Sequence, residues 1–483
     1  MTNINKDKYK MFFNELYSTL GDRKILTDEQ ILSLYSKEAS GLTGNILAVL
    51  FPESTNDVSK IASLAYKYDI PIYGQGSSSS LSGNAVPSNL GIVISFERMN
   101  HVKEISIVDG IAVVEPGVRI GELNAMLSEK GYMFPVDPAS EAVATIGGAI
   151  NNGSGGLRGA KYGTMKDWIN RLEIVLPDQY GTIMKIGCMT VKCRTGYDLV
   201  RLIVGSEGTL ALVTEAVLRI APIPERVVTV LSFFNDLNAL LSAFIEIKSS
   251  GVQPYIAEFM DDKTVDILSR TISISFEAKG HMLLISLEST KESAERMSKW
   301  LVNLMSRYNA NNIISALTQD EAEEKGIFKL RRALIPGAFQ IGATKLGKKA
   351  KVQIMVGDIV VPPSKIPTAV AKIREIGDKY GLLMSLGGHI GDGNLHPTVA
   401  YDELDESMKT SVKNWYNEIM KAAISIGGSM SSEHGIGLRK KEGLIAELEH
   451  SNSLKTLEIM KSIKKIFDSK GLLNPGKVFD IEI

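Results

Sequence analysis

Two histidines flank an Asp-Gly pair in the stretch Gly388-His389-Ile390-Gly391-Asp392-Gly393-Asn394-Leu395-His396. If Asp392-Gly393 form the two-residue corner of a hairpin, Gly391 faces Asn394, Ile390 faces Leu395 and His389 faces His396. Directly opposed residues share a sheet face, with Cβ atoms roughly 5 Å apart. Two imidazoles at that spacing can grip one metal ion. Further on, Ser431-Ser432-Glu433-His434-Gly435-Ile436-Gly437 offers a carboxylate and another imidazole. The chain has six histidines, and three of them lie in these two short segments. Two nitrogens and one carboxylate would hold a divalent ion and leave positions open, as a catalytic site requires. These ligands admit zinc first, with manganese or iron as alternatives. As neighbours, Glu433 and His434 are expected to send their side chains apart, one toward a metal and the other toward a substrate. His434, with an ordinary pKa near 6.5, then suits a general base. The plainer readings are hydrogen-bonded cross-strand histidines at 389 and 396, and a helix-capping histidine at 434. Arg331-Arg332 lie on a helix expected over Ala322–Leu334. A planar guanidinium pairs bidentately with a carboxylate, although Glu323 and Glu324 nearby also fit an exposed, solvated face.

These groups need a scaffold, and three glycine-rich segments suggest what else it holds. Gly74-Gln75-Gly76-Ser77-Ser78-Ser79-Ser80-Leu81-Ser82-Gly83-Asn84 follows a short apolar strand. Its backbone N–H groups and hydroxyls can converge on an anion such as a pyrophosphate. Glu97 stands at the distance of a ribose contact, but the third glycine of a dinucleotide fingerprint is missing and Ser-Asn residues make a poor helix start, so a Rossmann reading fails. Pro138–Gly156 carries Gly147, Gly148, Gly153, Gly155 and Gly156, with Asn151-Asn152 able to hydrogen-bond. Expected as irregular backbone, it reads as a wall along which a flat ligand lies. Gly205-Ser206-Glu207-Gly208-Thr209 is a turn into a strand. Three such segments in one region point to a large cofactor touched at several places.

A length of 483 residues predicts two or three domains. Lys+Arg and Asp+Glu number 54 and 55, so no basic excess exists for nucleic acid. The polar start Met1–Lys8 has no signal-peptide core, and no apolar run is long enough to span a bilayer. The two cysteines, Cys188 and Cys193, cannot hold an iron–sulfur cluster alone; they are expected to be reduced, buried small residues of a cytosolic chain. The first part alternates helix and strand: Val58, Ile61, Leu64, Ala65 and Tyr68 at helical spacing, then strands at Ile70–Tyr73, Gly91–Phe96 and Ile111–Val114, and a helix through Ile120, Leu123 and Leu127. The prolines of Ala221-Pro222-Ile223-Pro224-Glu225 mark a linker. Beyond it strands are expected at Val227–Phe234, Tyr255–Met260 and Met282–Leu287, with helices at Leu237–Ser249 and Lys291–Tyr308.

In this order, Gly74–Asn84, Glu115-Pro116-Gly117-Val118, Ala144–Gly156, Arg158–Gly163, Thr195-Gly196-Tyr197-Asp198-Leu199 and Gly205–Leu210 resemble the FAD-binding domain of the vanillyl-alcohol-oxidase type. The C-terminal half resembles the FAD-linked D-2-hydroxy-acid dehydrogenases, a family that includes D-lactate, glycolate and D-2-hydroxyglutarate enzymes. The resemblance runs from about residue 44 to residue 480. It implies an α+β fold: a PCMH-type FAD domain over 1–222 with its core at about 44–222, an α+β substrate domain over 223–430, and a segment 431–483 returning to the FAD domain. It implies non-covalent FAD, with Gly74, Gly76, Ser77, Ser78, Ser79, Ser80 and Ser82 around the pyrophosphate. Pro138, Thr145, Gly147, Gly148, Asn152, Gly155, Tyr162, Glu207, Gly208, Val213 and Asn474 would line the rest. It makes His389, His396 and Glu433 metal ligands, His434 the base and Arg331 the substrate clamp. Val356 stands where the hydroxyglutarate enzymes place a lysine, which weighs against a long dicarboxylate. The implied reaction is oxidation of D-lactate or a similar 2-hydroxy acid, with glycolate or D-2-hydroxyglutarate oxidation, or a flavin-dependent transferase resembling alkyl-dihydroxyacetone-phosphate synthase, as alternatives. The partners implied are a small substrate, an electron acceptor the motifs do not identify, and a second copy of the chain as a homodimer. A cytoplasmic location is expected, free or peripheral to the inner membrane face.

Overall fold

The computed structural model describes residues 3–480; Met1 and Thr2 of the polar start, and 481–483, lie outside the described residues. The chain forms two compact units, one of Met1–Gly155, Thr164–Ile223 and Glu433–Ile483, the other of Gly156–Gly163 and Pro224–Ser432.

The first unit holds two main sheets. One places Gly91–Ser95 between Ile46–Leu50 and Ile72–Gln75, all parallel, with Ile25–Leu26 antiparallel at one edge. Every residue of Gly91–Ser95 is buried, as a run of β-branched residues inside a parallel sheet predicts. The helix Thr55–Lys67 starts at Ser54, whose hydroxyl accepts from Asp57 N at 3.2 Å. It turns Val58, Ile61, Ala62 and Ala65 into a core shared with Ile72, Ile92, Ile94 and the distant Leu473. The second sheet is antiparallel, in the order Val102–Ser106, Ile111–Val114, Leu212–Arg219, Ile169–Val175, Ile183–Gly187.

The second unit is built on one large antiparallel sheet: Asn312–Ala316, Arg226–Phe234, His281–Ser289, Ile256–Met260, Met384–Gly388, Asn394–Asp402 and Val352–Val356, with Ile359–Val360 also pairing to Asn394–Asp402. The helices Leu237–Ser249 and Ala294–Arg307 pack on its Arg226–Phe234 strand.

Four expectations are corrected. Cys188 and Cys193 are not reduced, buried residues: they form a disulfide, Cα–Cα 5.8 Å, in a loop whose residues Val191–Tyr197 are exposed. The surrounding Thr190, Lys192, Arg194 and Thr195 leave no apolar site to bury a thiol. The stretch after Thr145 is not irregular, because Ile146–Asn152 is a helix capped by the Thr145 hydroxyl, which accepts from Gly148 N at 3.2 Å. The helix expected over Ala322–Leu334 is three pieces, Gln319–Glu324, Lys329–Arg332 and the start of Leu334–Leu346. Gly326, at φ 69°, ends the first of them. Part of the linker, Ala221–Pro222, is a strand paired with Tyr132–Met133.

Candidate functional site

The glycine-rich segments of the first unit interlock through backbone that tolerates no side chain. A Cβ on Gly76 would lie 2.1 Å from Thr145 Oγ1, and one on Gly147 would lie 2.6 Å from Pro116 Cβ. No helix begins after Gly76, so the serines stay in an irregular loop, with Ser78 at φ 54°. Glu38 fixes the far end of this loop by accepting from Gly83 N and, at 3.0 Å, from Ala85 N. Ser79 Oγ bonds Ser140 Oγ at 3.3 Å, and Ser80 donates to Asn84. Ser77 is exposed. Pro138 O accepts from Glu141 N at 2.8 Å, and Val213 is buried.

The helix Ile146–Asn152 meets the turn at Gly205–Gly208 through Gly205 N to Ile150 O at 2.9 Å and Glu207 N to Asn151 O at 2.7 Å. Glu207, itself at φ 55°, spends its buried carboxylate on Ile436 N at 2.6 Å and Gly437 N at 2.8 Å. Burial pushes that carboxyl's pKa up, against the pull of these two amides. Asn474 Nδ2 reaches the carbonyls of Asn84 at 2.8 Å and Glu207 at 2.6 Å. Lys464 holds the same region from below, donating to Thr209 O at 2.5 Å, Leu473 O at 2.8 Å and the Asp468 carboxylate. Among the described residues, five buried side-chain atoms of these segments, Asn84 Nδ2, Asn151 Oδ1, Asn152 Oδ1, Ser206 Oγ and Asn474 Oδ1, have no hydrogen-bond partner. Three amide oxygens, a hydroxyl and an amide N–H without partners suit a ligand that carries both N–H or O–H donors and oxygen acceptors, as a flavin nucleotide does. The residues present therefore fit FAD.

Gly435 and Gly437 bring the Glu433–His434 pair through this region at φ 75° and 53°. A Cβ on Gly437 would meet Ser82 O at 2.1 Å, and one on Gly435 would meet Asn84 Nδ2 at 2.7 Å. Glu433 O accepts from Asn152 Nδ2 at 2.7 Å, and Gly155 lies against the Glu433 carboxylate. The two side chains do not diverge as expected: His434 Nε2 lies 3.9 Å from Glu433 Oε1.

In the second unit, His389 and His396 come together, but not by the expected register. His396 pairs with Gly387. His389 lies beyond the strand Met384–Gly388, and its carbonyl accepts from the N–H groups of Asp392, Gly393 and Asn394 at 3.2–3.3 Å. The corner is thus wider than two residues. A slip of two keeps the same sheet face, so the rings still meet, centroids 5.2 Å apart and nearly perpendicular at 88°. His396 Nδ1 is 3.1 Å from Gly357 O. His389 Nδ1 is 2.6 Å from Glu258 Oε1, while its Nε2 is 3.5 Å from Arg331 Nη2. Arg331 Nε donates to the other Glu258 oxygen, so Arg331 is a half-buried, paired residue rather than part of an exposed face. Arg332 is the exposed member, paired with Glu323.

Two carboxylates belong to this site that the sequence reading missed. Glu258 is fully buried in the strand Ile256–Met260. Burial would raise its pKa, but the His389 ring and the Arg331 guanidinium that meet its two oxygens outweigh that and hold it below the usual carboxylate range. An acid within the apolar run Tyr255–Met260 was the available signal. Asp358, also fully buried, accepts from Asn394 Nδ2 at 2.9 Å, Ser432 N at 3.1 Å and Ser431 Oγ at 3.2 Å. Tyr162, expected beside the cofactor, belongs to the second unit, where its hydroxyl donates to Glu288 at 2.5 Å. Burial and that carboxylate push the phenol's pKa up. The expected metal ligands divide between the units: His389 and His396 in the second, Glu433 with His434 in the first.

The sheet order of the first unit, its glycine-lined polar segments and its returning C-terminal stretch define a flavoprotein fold. The chain belongs to the FAD-linked oxidases: a family model described as "FAD linked oxidases, C-terminal domain" matches residues 223–478, and one described as "FAD binding domain" matches residues 46–187. It is 34% identical over 434 residues to the glycolate oxidase subunit GlcD of Bacillus subtilis (strain 168), covering 89% of this chain and 88% of that protein. It is 33% identical over 434 residues to a D-lactate dehydrogenase of Archaeoglobus fulgidus, covering 89% of this chain and 90% of that protein. Its fold is that of p-cresol methylhydroxylase, with a TM-score of 0.77 at 16% identity over 98% of this chain and 97% of that one. The protein is an FAD-linked oxidoreductase of α+β architecture. Among the described residues no helix is long and apolar enough to cross a membrane.

Proposed function

We propose that the protein oxidises a D-2-hydroxy acid, D-lactate or a close analogue, to the 2-oxo acid. The observation that carries this reading is the Arg331–Glu258–His389 constellation, a half-buried guanidinium held on a buried carboxylate beside a paired-histidine centre. The glycolate and D-lactate names of relatives at 34% and 33% identity support a hydroxy-acid oxidation over the transferase reading. FAD bound by the first unit supplies the ring that accepts the Cα hydride.

The chain's own residues do the rest. Arg331 takes the substrate carboxylate with a planar fork that lysine cannot copy. His434 Nε2 accepts the hydroxyl proton. His389 and His396 would hold a divalent ion, zinc or else manganese or iron, with Glu433 the carboxylate that the family resemblance assigns to it. The donors fit such an ion: both histidines are anchored through Nδ1, to Glu258 and to Gly357 O, which commits each to coordinate through Nε2. The ion's part would be Lewis acidity toward the substrate hydroxyl.

The test is anaerobic mixing of the yellow protein with D- and L-lactate, glycolate and D-2-hydroxyglutarate, before and after chelation. Bleaching of the flavin by D-lactate, slowed by chelation and restored by added zinc or manganese, is expected. Flavin absorbance unmoved by every 2-hydroxy acid refutes the proposal.

A further inference from the structure

Glu258 sits where the fold has no need of a charge. Its strand Ile256–Met260 is buried throughout, with Ala257 and Phe259 on either side. A lone carboxylate there costs several kcal/mol unless its partners repay it, and an apolar residue would pack without that cost. The partners are specific. Oε1 meets His389 Nδ1 at 2.6 Å, and Oε2 takes Arg331 Nε. With Nδ1 protonated toward the carboxylate, His389 Nε2 is the acceptor that faces Arg331 Nη2 at 3.5 Å. With Nε on Glu258, the Nη1–Nη2 edge of Arg331 is the part of the fork that could take a second carboxylate.

We infer that Glu258 is a positioning residue which, through its two oxygens, orients the metal-binding nitrogen of His389 and the substrate-binding edge of Arg331 together. This rests on the function proposed above and deepens it. A consequence is built into the geometry. An ion on His389 Nε2 would take the place of the contact with Arg331 Nη2 and leave that N–H for the substrate carboxylate. Metal and substrate would then favour each other's binding, reciprocally.

The variant E258Q keeps the size of the side chain and loses its charge. The protein is first stripped with a chelator, then titrated with Mn²⁺ by electron paramagnetic resonance in the absence of substrate. Outer-shell carboxylates of this kind are worth roughly 10–100-fold in metal affinity, and E258Q is expected to lose that much. With metal saturating, its KM for D-lactate should rise by at least tenfold, about the weight of one charge-assisted bond. Flavin content and melting temperature report whether E258Q is folded. E258Q that binds Mn²⁺ as tightly as wild type and keeps its KM overturns the inference while leaving the metal reading intact. Wild-type protein that takes up no ion overturns the metal reading, and this inference with it. A measurement on the unaltered protein covers the case in which E258Q does not fold. In histidine-¹⁵N-labelled protein loaded with Cd²⁺, His389 is expected to coordinate through Nε2 and keep its proton on Nδ1. Coordination through Nδ1 refutes the role assigned to Glu258.

Discussion

Lys477 lies two residues past the Asn474-Pro475 pair and is 2% exposed. Its ammonium donates to Val86 O at 2.5 Å and lies 5.5 Å from the centre of the Tyr73 ring. One carbonyl and one ring face do not replace the water it has lost, even with Glu38 and Glu207 in the vicinity, and burial lowers its pKa from 10.5 to about 8. The unfolded chain therefore holds a proton on this lysine, between pH 8 and 10.5, that the folded chain has released. Where the unfolded state binds more protons, stability rises with pH. The cost of burying the charge is complete below pH 8 and fades as pH climbs toward 10.5. A depression of about 2.5 units at ~1.36 kcal/mol each gives roughly 2.5 kcal/mol recovered between pH 7 and pH 10. The variant K477M has nothing to titrate. Urea unfolding of both proteins at intervals from pH 7 to 10, with the two curves subtracted, isolates the lysine from tyrosines common to both. Wild type should gain on K477M by about that amount. A difference that stays flat over this range means that Lys477 titrates normally and that its burial costs nothing, which refutes the reasoning.

G76A drives a methyl group to 2.1 Å from Thr145 Oγ1, the cap of the helix Ile146–Asn152, and should retain less than a tenth of the wild-type flavin after gel filtration, read as the absorbance ratio at 450 and 280 nm. K464M leaves Asp468 charged and buried and the carbonyls of Thr209 and Leu473 without a donor, so unfolding should cost about 3–5 kcal/mol less in urea. H434N, with flavin content unchanged, should lower the rate of flavin reduction by D-lactate about 10²–10⁴-fold in stopped flow, the usual weight of a lost general base.

Much of this was readable from residue order. The hydrophobic spacing of Thr55–Lys67, the apolar strand Gly91–Ser95 and the elements from Arg226 to Arg307 lie close to where periodicity puts them. Closeness of His389 to His396 was legible because parity along a strand survives a register error of two, although the width of the corner was not. What failed has local causes. Gly147 and Gly148 weakened the helical signal of Ile146–Asn152, which depends on the Thr145 cap and on Pro116 O accepting from Gly147 N at 2.8 Å. Glu258 drew no attention because its importance comes from His389 and Arg331, both far away in sequence. The disulfide escaped because five residues of separation say nothing about whether a loop closes.

The strand Ile72–Gln75 takes its last partner from the other end of the chain: Ile72 N donates to Leu472 O and Asn474 N donates to Ile72 O, each at 2.8 Å. Leu473 between them packs into the hydrophobic core with Ile72, Ile92 and Ile94. A ribosome making this protein therefore finishes the Ile256–Met260 sheet before the first unit can close. Until Leu472–Asn474 has emerged, the edge of Ile72–Gln75 stays unpaired there and its core lacks Leu473.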